Sequence, residues 1–157
     1  MKYIWTFILL IASCSTAFAQ KEQDFATKFM NIYGNSYKNI TCDIVSPSMM
    51  QRIMQLDTLN GNSEIRNVLS QLKSIQIVNA LGSPAKDSLF VKAQELAKQN
   101  EKRYKLYTND NVRHIYLRKR NNIIVEMVFI AKKNNRFSLI NLTGNMNKDF
   151  LEELTKM

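Results

Sequence analysis

The sequence predicts an α+β domain: N-terminal helices with two short strands, then a C-terminal antiparallel meander of about four strands closed by a terminal helix. Three observations carry this expectation. Up to about Lys102 most apolar residues recur at helical spacing, whereas beyond it they fall in strand-like runs. Those runs are separated by asparagine clusters, the residue type that tolerates positive φ in tight hairpins. The last run meets one glycine, Gly144, and an amphipathic stretch follows.

Before the domain comes a leader. One cation, Lys2, precedes an apolar run from Tyr3 to Ala12, and Ala17-Phe18-Ala19 supplies the small-x-small pattern of a signal-peptidase site. Cleavage is expected between Ala19 and Gln20. The run is shorter than the about 20 apolar residues of a membrane span. A second reading stays open, because Ile11-Ala12-Ser13-Cys14 fits a lipobox in which Cys14 is lipidated and becomes the N-terminus. Both readings export the chain, to the periplasm or beyond, or to a membrane anchor. Residues 20–157 are then one domain, long enough to fold without a metal or disulfide.

Along that domain, Phe25, Phe29, Ile32 and Tyr33 form one helical face that stops at Gly34. Residues 39–45 are rich in β-branched side chains and read as a strand. Ser46 caps a helix with Pro47 in its first position and Met49, Met50, Ile53 and Met54 along its stripe. Asn60-Gly61 marks a turn before the face of Ile65, Val68, Leu69 and Leu72. Residues 74–81 are a second strand, broken by Gly82 to Pro84, and Phe90, Val91, Ala93, Leu96 and Ala97 lie on the next helix. Four runs at 103–108, 112–119, 123–132 and 136–143 make the meander.

Register follows from the turns. A two-residue turn at Asn134-Asn135 sets Met127 opposite Leu142 and Phe129 opposite Ile140, all on one apolar face. For Ile115 and Leu117 to join it, the preceding hairpin needs an odd-length loop around Arg120-Asn121-Asn122. The other face then carries His114, Tyr116 and Arg118 beside Glu126, together with Ile124, Val128 and Ile130.

At the C-terminal corner, Asn147 is the expected helix cap, flanked by a hydrophobic staple of Met146 and Leu151. Phe150, Leu151 and Leu154 should dock the terminal helix on the sheet. A phosphate cradle asks for several glycines and a Lys-Ser/Thr pair, so Gly144 reads as a structural device.

Composition narrows the function. The formal charge is +9, or +8 once Lys2 leaves with the signal. For an exported chain this points to anionic membrane or polysaccharide surfaces, and away from nucleic acid. Tyr107, Tyr116, Arg118, Lys119 and Arg120 cluster on one hairpin and form the candidate anionic-surface patch, against the plainer reading of a solvated tip that blunts a sheet edge. His114 is the single histidine, which removes His-pair metal sites and the usual Ser-His-Asp arrangement. Glu152 and Glu153 diverge on a helix, and Asp43 and Asp57 lack an evident partner in sequence. The methionines at 49, 50 and 54 have core spacing. No catalytic residue, cofactor or metal ligand emerges, and Cys42 is expected to be a buried, inert thiol in a monomer. The main expectation is a non-catalytic protein-interaction or structural module with an envelope protein as partner. The alternative is a basic module on anionic surfaces.

The ending "FSLINLTGNMNKDFLEEL" resembles the bacterial envelope family called domain of unknown function 4252. Upstream, "FATKFMNIYGNSYKNITCDIVSPSMMQRIM" is similar to that family's opening helix, short strand and helix start, and residues 104–144 to its hairpin ending. The resemblance spans about 22–154. It implies an exported or lipid-anchored protein of Bacteroidetes-type bacteria, and it implies no activity, cofactor or catalytic residue.

Overall fold

The computed structural model describes residues 22–56 and 63–156. The expected processing sites at Cys14, Ala19 and Gln20, the Asn60-Gly61 turn, Asp57 and the side chain of Leu154 lie outside the described residues. Helix α1 is Phe25–Tyr33, followed by a 3₁₀ turn, Gly34–Ser36, and strand β1, Ile40–Val45. Helices α2, Pro47–Met54, and α3, Ser63–Ser70, precede β2, Leu72–Leu81, and the long helix α4, Ser83–Gln99. The chain closes with β3, Lys105–Asn109, β4, Arg113–Arg120, β5, Ile123–Lys133, β6, Arg136–Met146, and α5, Lys148–Lys156.

The α+β class holds, and the arrangement is tighter than expected. All six strands form one antiparallel sheet in the order β1-β2-β6-β5-β4-β3. The two N-terminal strands are therefore not a separate element. β2 is ten residues long and pairs with β6 along its length, from Leu72 opposite Gly144 to Leu81 opposite Arg136. Its apolar residues match those of β6 on both faces, and burying both faces at once fixes the pairing.

Local chemistry explains the turns. Asn121, Asn122, Asn134 and Asn135 all have positive φ, between 48° and 65°, so both hairpins close on two residues. This is the turn whose twist suits antiparallel strands. Met127 faces Leu142 and Phe129 faces Ile140, as the Asn134-Asn135 turn requires. Ile115 and Leu117 join that face, but not through an odd-length loop. Arg120 pairs directly with Ile123, and the extra residue is Val125, a bulge in β5 between Ile124 and Glu126. The bulge moves Ile124 to the Leu142 face and leaves Glu126 on the opposite one.

One face is closed by α1 and α4. Phe25, Phe29, Leu89, Phe90 and Leu96 pack there on Val78, Val128, Ile130, Phe137 and Leu139. Leu89, not singled out by spacing, is fully buried, while Ile32 and Val91 are about half exposed. Cys42 packs at the margin of this core and is half-buried, not buried. Burial, then the Asp43 and Asp24 carboxylates, push its thiol pKa up, which keeps it protonated and slow to react.

The other face carries a smaller core of Val68, Ile124, Met127, Met146, Phe150 and Leu151. The corner here is as expected: Asn147 Oδ1 accepts from Phe150 N at 2.9 Å, and Met146 and Leu151 are both buried. Gly144 is needed for close approach. A Cβ there would collide with the Gln71 carbonyl, the group that accepts from Asn145 N at 2.8 Å. Gly144→Ala should therefore cost about 1–3 kcal/mol through forced separation of β2 from β6. A denaturant melt that does not move would mean the corner can open freely.

Candidate functional site: an apolar groove beside a buried acid

The second face is only partly covered, for a geometric reason. Six strands at about 4.8 Å spacing span roughly 24 Å. A helix of eight or nine residues is only about 12–14 Å long, and α2, α3 and α5 are all of that size. Val68 and Phe150 close one end of the sheet face and leave the rest open as a groove of about 940 Å³. Its floor is Ile75, Ile115, Met127, Phe129, Ile140 and Leu142, drawn from four strands. Tyr107, Thr108 and Arg113 form the opposite wall. The groove was not foreseen, although the apolar face that floors it was.

Beneath α1 lies a polar cluster. Glu126 is fully buried and accepts three hydrogen bonds: from Phe25 N at 2.7 Å, Arg118 Nε at 2.8 Å and Tyr104 Oη at 3.0 Å. Asn141, also fully buried, accepts from Ala26 N at 2.8 Å, and Asp24 accepts from Thr27 N at 2.8 Å. The first three N–H groups of α1 thus each have an acceptor, and negative charge sits at the positive end of the helix. Burial and the adjacent Glu126 push the Tyr104 pKa far up, so the phenol stays a donor. The acceptor oxygens of the cluster are taken up by the first turn of α1, by Arg118, by Tyr104 and by Gln76, which is the geometry of a helix anchor.

The candidate patch residues are not brought together as one exposed surface. Tyr116 is buried under α4, and its ring stacks near His114. Arg118 is held by Glu126 and by Glu22, each at 2.8 Å. Arg120 reaches Glu22 at 3.4 Å and Arg103 reaches it at 2.9 Å, so one carboxylate serves three guanidinium groups. Lys119 and Arg120 remain solvent-facing, as does Tyr107, which lies across the strand on the groove. The physical reason is strand alternation combined with partners supplied from distant chain segments.

His114 is half-buried against Phe90, with ring planes at 88°. Gln94 Nε2 lies 3.2 Å from its Nε2, and Tyr116 Oη 3.4 Å from its Nδ1. The amide donates to Nε2, which leaves the proton on Nδ1. Burial lowers the His114 pKa below the ordinary 6.5, with Asp110 acting weakly the other way. The unfolded chain therefore takes up a proton first as pH falls. The stability this group provides is complete above about pH 6.5 and is lost as pH drops toward the folded pKa. His114→Gln should flatten that portion of a stability-versus-pH curve between about pH 7 and 5. An unchanged slope would show that the imidazole titrates freely.

Met50 is buried while Met49 is exposed, consistent with one helix face turned inward. Among the described residues no group of three or more His, Cys, Asp or Glu is placed to hold a metal, and no helix is long and apolar enough to cross a membrane.

A single antiparallel sheet with helices closing one face and an apolar groove on the other defines a small α+β module. The model of a family described as a domain of unknown function (DUF4252) matches residues 33–154, and the chain belongs to that family. The match begins at the end of α1, later than the resemblance to the opening helix suggests. No curated protein and no solved structure matches the chain.

Proposed function

We propose that the protein is an exported, non-catalytic binding module of the cell envelope and that the groove is its working surface. The observation that carries this reading is the open apolar floor. Large side chains such as Phe129 and Ile140 remain partly exposed in a contiguous concave face. Contiguous exposed apolar surface of this kind marks interaction sites more often than it is left to water. The alternative, a basic module held on anionic membrane or polysaccharide, draws on the net charge of +9. The groove is favoured over the hairpin because Glu126 and Glu22 already pair with Arg118, and Glu22 also pairs with Arg103 and Arg120.

The experiment is a photo-crosslinker at Phe129, activated in intact producing cells. It should yield a discrete adduct, while the same probe at Ile44, exposed on edge strand β1, should not. Equal labelling at both positions would show that the groove is ordinary surface. The same preparation tests export by intact mass: a start at Gln20 is expected, and a diacylglycerol-modified Cys14 start would make the protein membrane-anchored.

A further inference from the structure

The floor of the groove does not end in solvent. Strand alternation carries the same face on from Phe129 through Ala131 to Lys133, and from Ile140 through Ser138 to Arg136. Lys133 and Arg136 are directly opposite one another and exposed. Arg113 is opposite Ala131, so it stands on this face between the groove and the two cations. Among the described residues the groove lining contains no carboxylate, and Arg113 is its one charged residue. Asp110 touches the Arg113 guanidinium through a single nitrogen at 3.3 Å, with both side chains about half exposed. The face is therefore apolar at the Val68 and Phe150 end and cationic at the β5–β6 turn.

Resting on the reading of the groove as the working surface, we propose that its ligand is a single-chain anionic amphiphile, a fatty acid, with the acyl chain along the sheet and the carboxylate among Arg113, Lys133 and Arg136. Three features select this occupant. The volume of about 940 Å³ lies at the upper end of small-ligand sites and suits one extended chain. The floor strands β2, β6, β5 and β4 are each paired on both sides, so the floor offers no free backbone ladder to an extended peptide. An acyl chain needs none. The run of apolar side chains ending in cations matches the polarity of a fatty acid from tail to head.

Displacement of a fluorescent fatty-acid probe from the purified protein tests the assignment, using decanoate, dodecanoate and tetradecanoate below their micellar concentrations. Affinity should rise about 4-fold per added methylene, as burial of each CH₂ predicts. Replacing both shelf cations, Lys133→Gln with Arg136→Gln, should weaken dodecanoate about 10-fold and leave dodecanol unchanged. Both residues are exposed, so the fold should survive. Phe129→Glu should abolish binding of acid and alcohol alike, with a cooperative melt verifying that this variant is folded. No saturable displacement, no chain-length dependence, or equal binding by Phe129→Glu would overturn the proposal. A dimer in light scattering that dissociates in Phe129→Glu, with no fatty acid bound, would assign the groove to a second copy instead. Binding only to anionic vesicles, insensitive to Phe129→Glu, would assign the cations to a membrane surface. A protein adduct at the Phe129 crosslinker without fatty-acid binding would reject this ligand and leave the groove as the working surface.

Discussion

Glu126→Ala is expected to destabilise the domain by about 3–5 kcal/mol, the range for removing one partner of a buried ion pair. Glu126 is fully buried, and the Arg118 side chain beside it is only 16% exposed. Truncation would leave Arg118 facing an empty site, the Tyr104 hydroxyl without its acceptor, and the first N–H of α1 unsatisfied. Each orphaned group alone costs about 1–3 kcal/mol, and such losses are not additive within one network. Glu126→Gln keeps the size and an acceptor oxygen, so it should lose roughly half as much. Urea melts of both variants decide the matter. A loss below about 1 kcal/mol for the alanine variant would mean that water replaces the carboxylate and that α1 is not anchored as described.

Phe150→Ala should cost about 3–5 kcal/mol, as for other fully buried aromatic truncations. Phe150 has no exposed surface and packs with Met146, Leu151 and Ile124, so α5 cannot shift to fill the void without breaking the Asn147 cap. Leu151→Ala should cost about 2–5 kcal/mol for the same reason. Phe150 also ends the groove, and its loss should lengthen the open channel. The measurement is the denaturation midpoint at constant slope. A changed slope would show that α5 had already detached, and an unmoved midpoint would show that it never held this end of the sheet.

Much of the fold was legible because local periodicity and turn chemistry agree. Six strands and five α-helices among the described residues fall close to the spans that period and punctuation indicate. The Asn134-Asn135 turn was enough to set Phe129 opposite Ile140, since a two-residue hairpin leaves no freedom of register. The Met146 and Leu151 staple and the Asn147 cap were equally local. What escaped was the junction of β2 with β6, whose partners lie over 50 residues apart in the chain. No local signal encodes that pairing. The Val125 bulge escaped for a related reason: only the need to keep Ile115 and Leu117 on the Leu142 face requires it, and a longer loop would have served equally.

The site divides in the same way. A single acid in the run "IIVEMVFIA", with an arginine on the neighbouring strand, is a readable sign of a buried pair. Its three donors come from Phe25, Tyr104 and Arg118, which only folding assembles. The candidate patch failed to gather because alternation sends Tyr116 inward, while Glu22 arrives from the other end of the described chain. By itself the sequence determined the elements, the hairpins and the apolar face, because each depends on side chains within a few residues of one another. The tertiary structure alone decided which part of that face stays open, because coverage depends on where short helices from two distant segments come to rest.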